Sequence, residues 1–299
     1  MSRSSCLTRE SLKGAFPAIV TPFTGDGGAL DLSSYRELLD YQLTLGVSGV
    51  VVCGSTGETV TLTDDEYREM VSVTREHVGS RGFVIAGIGA NSTARAVELA
   101  RYLDTTGVDG ILLVTPPYNK PTQAGILAHF EAVRGSSALP IIAYNVPGRT
   151  GINLQPRTVE KMVDRGLIIG LKESSGSMDQ ILDIVALTDG RLALLSGEDS
   201  LVHATMASGG CGVVSVTANV VPDLVSNLTT AALEGRWEDA RKLQLEMLPI
   251  ARACFVETNP IPIKAALYLK GIIRHPTTRL PLTPAEPSTV EQLKRVLGL

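Results

Sequence analysis

Short apolar segments recur along the chain, separated by stretches with helical patterning. They begin 19 to 34 residues apart, which leaves room for a crossover helix in each interval. The segments are continuously apolar, as is typical of strands buried on both faces of a parallel sheet. Eight such strands close a (β/α)8 barrel, so the pattern predicts an α/β fold, the TIM barrel. The predicted strands are 17–23, 49–54, 83–89, 110–116, 140–146, 168–174, 192–198 and 211–216.

Capping residues predict where the intervening helices begin and end. Thr63, followed by three acidic residues, predicts the start of a helix that runs to about Val78. Other boundaries are predicted at Ser92 and Gly107 for the next helix, Pro121 for the start of the one after, and Pro222 and Gly235 for the eighth.

The chain beyond residue 235 needs no further strands. Its pattern predicts three helices, over 236–255, 261–269 and 288–297, separated by proline-containing stretches. We therefore expect a barrel domain over 1–235 that carries the active site, and a C-terminal three-helix extension over 236–299.

Composition narrows the class of function. Apolar residues make up 44% of the 299 residues, so a large core can form, and 27 basic against 31 acidic residues give no basic surface for nucleic acid. No apolar run approaches the roughly 20 residues of a membrane-spanning helix. The first ten residues lack the apolar stretch of a secretory signal and are expected to be a short mobile tail. These features predict a soluble protein that acts on small molecules, without a membrane or nucleic-acid partner.

The residues that commonly bind metals are scattered. No pair of cysteines has a C-x-x-C spacing, and the four histidines are isolated, so neither a zinc site nor a disulfide framework is predicted. We expect no metal and no cofactor, and a reducing cytosol as the location. The cysteines are Cys6, Cys53, Cys211 and Cys254.

Lys172 ends the sixth predicted strand, and a TIM barrel places its chemistry at such strand ends. Alternation puts Ile168, Gly170 and Lys172 on one face. If that face is the barrel interior, Gly170 leaves space beneath the amine, and desolvation favours the neutral form that can attack a ketone to give an imine. The alternative is a lysine whose head reaches solvent. Lys264 and Lys120 compete less well, because neither combines burial with a strand end.

Tyr144 lies on the fifth strand, which neighbours the sixth if strand order follows the sequence. Its phenol would then lie within reach of Lys172, where it could relay protons during imine formation. The alternative is a structural tyrosine of the barrel core.

The segment 54–58 offers two hydroxyls, Ser55 and Thr56, and free backbone amides that can hold a carboxylate. The alternative is a tight turn that requires its glycines. Because the segment lacks the lysine of a phosphate-binding loop, nucleotide binding is not expected. Glu58 and the acidic pair 198–199 are interpreted as helix-start or loop-stabilising acids, not general bases.

Arg149 follows a Pro-Gly turn that should direct it across the barrel opening. A guanidinium there can bind a second carboxylate in a bidentate pair. The alternative is an exposed or ion-paired surface arginine.

Three motifs together resemble the dihydrodipicolinate synthase and N-acetylneuraminate lyase superfamily of imine-forming class I aldolases. They are G-S-T-G-E at 54–58, Y-N-V-P-G-R-T-G at 144–151 and G-L-K-E-S at 170–174. The resemblance extends over nearly the whole chain, from residue 14 to residue 282.

The resemblance implies roles for the candidate residues. Lys172 would form a Schiff base with pyruvate, Tyr144 would relay protons, and Ser55 and Thr56 would hold the pyruvate carboxylate and extend the relay. Tyr118 would complete the relay in a neighbouring subunit, which implies a homo-oligomer, commonly a tetramer built from two dimers. Gly197 and Val214, at the ends of the seventh and eighth strands, are further expected substrate-binding positions.

Arg149 resembles the synthase branch, in which this arginine receives the carboxylate of the second substrate. That resemblance implies condensation of pyruvate with L-aspartate 4-semialdehyde to 4-hydroxy-tetrahydrodipicolinate, the entry to diaminopimelate and lysine biosynthesis. The alternative enzyme is a pyruvate-dependent lyase or dehydratase of a sugar-derived 2-oxo acid. A protein that only senses 2-oxo acids is the alternative outside the enzymes.

Two positions depart from the family pattern. Ser55 stands where the synthases most often have threonine, but it keeps the hydroxyl. In lysine-inhibited members an interface cleft carries His, Glu and Tyr where this chain has Asp64, Arg95 and Pro117. An arginine in place of an acid should repel a lysine ammonium, so weak or absent lysine feedback is expected.

Overall fold

A computed structural model of the protein describes residues 7–299. Its strands are β1 (Gly14–Pro17), β2 (Gly49–Val52), β3 (Phe83–Ile88), β4 (Gly110–Val114), β5 (Ile141–Asn145), β6 (Gly170–Glu173), β7 (Ala193–Ser196) and β8 (Gly212–Ser215). All pair in parallel, in the order β1-β8-β7-β6-β5-β4-β3-β2. Ser48 donates its N–H to the Ala15 carbonyl at 2.9 Å, which brings β1 against β2. The (β/α)8 barrel prediction is confirmed.

Helices follow the strands and surround the barrel. The predicted start at Thr63 is confirmed, because its hydroxyl accepts from Glu66 N–H while the Glu66 carboxylate accepts from Thr63 N–H in a capping box. The helices are α1 (Leu32–Thr44), α2 (Asp64–Val78), α3 (Thr93–Leu103), α4 (Gln123–Arg134), α5 (Pro147–Thr150), α6 (Pro156–Asp164), α7 (Met178–Thr188), α8 (Val202–Ala207), α9 (Pro222–Leu233), α10 (Trp237–Ala253), α11 (Ile261–Leu269) and α12 (Pro287–Leu297).

Three predicted boundaries are corrected by the structure. The first strand is predicted at 17–23 but lies at Gly14–Pro17, followed only by an isolated bridge in which Ala18 N–H donates to the Ser215 carbonyl and Ile19 N–H to the Val51 carbonyl. Beyond Ile19 the chain leaves the barrel sheet, and its apolar residues are buried without pairing to the barrel strands. Helix α4 begins two residues after Pro121, because the Thr122 hydroxyl caps it by accepting from Gly125 N–H. Helix α3 ends before Gly107, at Leu103.

The N-terminal end of the barrel is filled by apolar side chains from the segment that precedes β1. Leu7 and Leu12 are buried, and a side chain at Gly110 or Gly170 would collide with them. Leu7 also corrects the expectation of a mobile tail for its later residues, whereas residues 1–6, including Cys6, lie outside the described residues. Gly170 therefore makes room for Leu12 and not, as expected, for a lysine amine.

The C-terminal helical part packs on the barrel. Helix α10 lies against α9, and α12 lies against α10 and α11. The connection from α10 to α11 brings residues 254–260 back to the C-terminal ends of the strands, where Asn259 lines a cavity. In the part of the chain that the structure describes, no helix is long and apolar enough to cross a membrane.

Candidate active site

Lys172 and Tyr144 lie side by side at the C-terminal ends of β6 and β5. They are paired across the two strands, and the Lys172 Nζ lies 4.2 Å from the centroid of the Tyr144 ring. Both residues are buried, with 5% and 7% of their surface exposed. Tyr144 belongs to the apolar cluster inside the barrel together with Val214, so the amine is held in a largely apolar interior. The predicted proximity of the two side chains is confirmed.

On the side of Lys172 that faces β7, Gly197 and Ser174 lie next to the lysine. A Cβ added at Gly197 would lie 1.8 Å from Ser174 Oγ and 3.0 Å from Lys172 Cε, so only glycine leaves room for both side chains. Ser174 Oγ is buried and has no hydrogen-bond partner among the described residues. Ile168 does not share this face as expected, since it precedes β6 and packs in the outer core.

The turn after β2 presents Ser55 and Thr56. Cys53 and Glu58, which flank it, have positive φ values of 54° and 53°, and Gly57 N–H donates to the Gly54 carbonyl at 3.0 Å. This tight geometry turns the chain over the end of the barrel. Ser55 lines the cavity, and Thr56 is buried with its Oγ1 accepting from Asn259 Nδ2 at 2.9 Å.

Arg149 lies on the short helix α5 at the cavity rim, as its turn predicted. Its guanidinium donates to the main-chain carbonyl of Asn259 at 2.9 Å. The cavity has a volume of about 250 Å³ and is lined by Ser55, Tyr144, Arg149 and Asn259, among others. The Ser55 turn, the Tyr144 ring and the Arg149 guanidinium therefore border one space, with the Lys172 amine directly behind the ring.

Buried charged residues stabilise the turn after β2 through Glu58, at the end of the turn. Glu58 forms an ion pair with Lys264 and accepts from Arg279 N–H at 2.9 Å. Arg279 also binds Glu66 through two nitrogens, and both cations lie 4.2 Å from the centroid of the Phe23 ring. We call these five residues the Glu58 cluster. Glu58 thus stabilises a loop, as interpreted from the sequence.

Burial and pairing shift the protonation of this cluster. Burial lowers the pKa of Lys264 to about 8, although the Glu58 carboxylate opposes that shift. Hydrogen bonds from Arg279 lower the pKa of Glu66 to about 2, against the effect of its partial burial. The cluster is therefore built around charges that compensate one another.

Of the two acids next to the site, Asp199 has structural partners. Asp199 is buried and accepts from the N–H groups of Val216 and Thr217 at 3.0 and 2.9 Å, so it stabilises the loop after β8. Burial, followed by the nearby Asp199 charge, raises the pKa of Glu198. Within residues 7–299, no group of three or more His, Cys, Asp or Glu side chains is placed to hold a metal ion.

Tyr118 does not reach this site within one chain. It is 87% exposed and has a φ of +73°, with its N–H donating to the Thr150 carbonyl at 3.2 Å. A large aromatic side chain in a left-handed backbone conformation is strained, and such strain is found where the surroundings or a function demand it. Its phenol is presented outward, away from Lys172.

The structure thus brings together Lys172, Tyr144, Gly197 and Val214 inside the barrel, and Ser55, Thr56 and Arg149 at its opening. Sequence reasoning missed Asn259, the free hydroxyl of Ser174 and the burial of Lys264. Asn259 lies in one of the proline-containing stretches that separate the predicted C-terminal helices, and nothing local in that stretch indicates a contact with the active site. A glutamate in the 54–58 turn and a lysine in an apolar helix were the signals for the buried ion pair.

Comparisons with known proteins agree with this architecture. The model of the dihydrodipicolinate synthetase family matches residues 11–298. A 4-hydroxy-tetrahydrodipicolinate synthase from Geobacter sulfurreducens is 46% identical over 285 residues, covering 95% of this chain and 97% of the relative. The structure of a dihydrodipicolinate synthase from Thermotoga maritima is similar, with a TM-score of 0.93, 42% identity and coverage of 96% and 97% of the two chains. A monomeric dihydrodipicolinate synthase variant matches with a TM-score of 0.94 and 41% identity over 97% of each chain.

Proposed function

The chain belongs to the dihydrodipicolinate synthetase family, and we propose that it condenses pyruvate with L-aspartate 4-semialdehyde to 4-hydroxy-tetrahydrodipicolinate. This is the entry reaction to diaminopimelate and lysine biosynthesis. The observation that carries the proposal is the cavity itself, which is lined by Ser55, Tyr144 and Arg149, with the buried amine of Lys172 against the Tyr144 ring.

Lys172 is the proposed nucleophile. Its neutral amine adds to C2 of pyruvate, and loss of water gives an imine. Loss of a proton from the methyl carbon then gives an enamine, whose carbon attacks the aldehyde of the second substrate. Tyr144, whose ring contacts the amine, is the proposed carrier of protons to and from the departing oxygen.

The two carboxylates are assigned to opposite parts of the cavity. Ser55, which lines the cavity, and Thr56, the buried residue that follows it in the turn after β2, receive the pyruvate carboxylate through hydroxyl and backbone donors. Arg149, at the rim, binds the carboxylate of aspartate semialdehyde. Gly197 and Val214 border the reacting carbon atoms.

A lyase acting on a sugar-derived 2-oxo acid is not favoured. The curated relatives at 42% to 46% identity carry the synthase name. Arg149 supplies a cation for a second carboxylate. Aspartate semialdehyde, the reacting aldehyde, carries such a carboxylate, whereas a neutral sugar aldehyde lacks one.

We also propose a homo-oligomer in the cytosol. The support for association is Tyr118, an exposed and strained tyrosine whose phenol would serve the active site of a second copy. Tetramers are the family expectation, although one structural relative is a monomeric variant. Among the residues that the structure describes, the thiols of Cys53, Cys211 and Cys254 are free, which suits a reducing compartment.

Two measurements test this proposal. A coupled assay with pyruvate and aspartate semialdehyde should show turnover. When N-acetylneuraminate or 2-keto-3-deoxygluconate replaces both substrates, no turnover should be seen. Borohydride reduction with pyruvate should label Lys172, and Lys172→Ala should abolish labelling and lower turnover at least about 1,000-fold. Labelling that survives Lys172→Ala would remove the proposed nucleophile.

A further inference from the structure

Asn259 touches both carboxylate-binding parts of the site from outside the barrel. It lies between α10 and α11, is 5% exposed, and is 203 residues from Thr56 and 110 residues from Arg149 along the chain. Its side chain contacts the first of these residues and its main chain contacts the second, each at 2.9 Å. One residue of the C-terminal helical part therefore joins the two subsites.

The side-chain contact sets the direction of the Thr56 hydroxyl. A hydroxyl has one proton to donate and two lone pairs. Because Asn259 Nδ2 donates to Thr56 Oγ1, one lone pair is occupied and the proton is left for another acceptor. A substrate carboxylate can only accept, so a hydroxyl held in this way is arranged to donate to it.

The main-chain contact positions Arg149 without neutralising it. An aspartate or glutamate partner would compete with the carboxylate of a substrate for the guanidinium. The structure instead gives Arg149 an uncharged carbonyl, that of Asn259, as its partner. The guanidinium is held in place while its charge stays available.

We infer that Asn259 is a positioning residue for both substrates: its side-chain amide orients the Thr56 hydroxyl toward pyruvate, and its carbonyl holds Arg149 for the second substrate. The inference rests on the proposed function. The two arms can be separated by mutation, because a side-chain substitution removes the Thr56 contact and keeps the carbonyl.

The test compares Asn259→Ala and Asn259→Asp with the wild type. Asn259→Ala should lower kcat/KM for pyruvate about tenfold, the effect of one lost hydrogen bond to an oriented group. Asn259→Asp should lower it further, because an aspartate cannot donate when ionised and places a negative charge near the pyruvate carboxylate. Part of that loss should be recovered as the pH falls and the new carboxyl group is protonated. The KM for aspartate semialdehyde should change less than about twofold in both variants.

A double-mutant cycle with Thr56→Val identifies the route of the effect. If Asn259 acts through Thr56, adding Asn259→Ala to Thr56→Val should produce no further loss in the rate of borohydride trapping with pyruvate. Asn227→Asp, at an exposed position on α9, is the matched control and should leave every parameter unchanged.

Two results would overturn the inference. One is a kcat/KM for pyruvate in Asn259→Asp that equals or exceeds that of Asn259→Ala. A purely structural role of Asn259 would give this result, because aspartate has the same shape as asparagine. The other is additive losses in the cycle. Both results count only if the wild type is itself trapped with pyruvate by borohydride. The absence of that trapping would overturn the proposed function itself.

Discussion

Two enclosed lysines of this protein differ in whether the amine is held in an ion pair. Lys172 and Lys264 are 5% and 0% exposed, and the amine of each lies 4.2 Å from the centroid of an aromatic ring. Lys264 pairs with Glu58 and donates to the Thr277 carbonyl at 2.7 Å. Over the described range 7–299, Lys172 forms no ion pair.

This difference distinguishes a lysine that stabilises the fold from a lysine that is available for chemistry. An ammonium held in an ion pair links two segments of the chain, whereas an amine that is not engaged in an ion pair can reach a bound molecule. Burial alone would have selected Lys264, the more enclosed of the two. The partner atoms, and not the degree of burial, distinguish Lys264 from Lys172, the proposed nucleophile.

Methionine in place of each lysine should have opposite effects on folding. Lys264→Met leaves the Glu58 charge buried without its partner and should lower the free energy of unfolding by about 3–5 kcal/mol. Lys172→Met replaces an unpaired amine with an apolar side chain and should be neutral or stabilising, as active-site replacements often are. Urea unfolding followed by circular dichroism measures both.

Adding Glu58→Gln to Lys264→Met should restore part of the lost stability, because it removes the stranded charge. The comparison of the two lysines would fail if Lys172→Met proved as destabilising as Lys264→Met.

A smaller effect is expected at the outer edge of the Glu58 cluster. The pKa of Glu66 is lowered from its ordinary 4.5 to about 2 by Arg279, so the pair contributes stability that is present above pH 4.5 and is lost as the pH falls toward 2. Glu66→Gln should therefore cost about 1–2 kcal/mol at pH 7 and nearly nothing at pH 2. Urea titrations at several pH values measure this difference.

Glu69→Gln is the control, since Glu69 is exposed on the same helix α2. A penalty for Glu66→Gln that stays constant with pH would show that the ionic contact with Arg279 is not its source.

The smallest effect is expected for free lysine added to the enzyme. A second cavity is lined by Asp64, Asn91, Arg95 and Pro117, among others. Arg95 pairs with Asp64 and, at 2.8 Å, with Glu98, so a lysine ammonium would meet carboxylates that are already occupied. Steady-state rates should fall less than about twofold at millimolar lysine. Strong inhibition at low lysine concentration would show that the cavity accepts a cation after all.

Local signals predicted much of the barrel. The cap at Thr63 and the apolar run before Lys172 lie within a few residues of the elements they specify, so α2 and β6 were found near their observed positions. The first strand was misplaced because residues after Ile19 are as buried as a strand but do not pair with the barrel strands. Local hydrophobicity reports burial and does not distinguish these cases.

The contacts that complete the site could not be predicted in this way. Asn259 meets Thr56 only because the C-terminal helical part folds back over the barrel opening, and Lys264 becomes buried for the same reason. Ser174 and Gly197 come from adjacent strands, and their fit depends on how β6 and β7 are aligned. Such placements follow from tertiary closure and leave no pattern in a short window of sequence.

The packing of Leu7 and Leu12 into one end of the barrel bears on the order of events during turnover. Since that end is filled, small molecules must arrive and depart through the other, past Arg149. With the roles proposed for Lys172 and Arg149, the compound that bonds to Lys172 has to enter before the compound held at the rim. A second molecule at the rim in the absence of the first would obstruct passage, so excess aldehyde should compete with pyruvate for the unloaded enzyme.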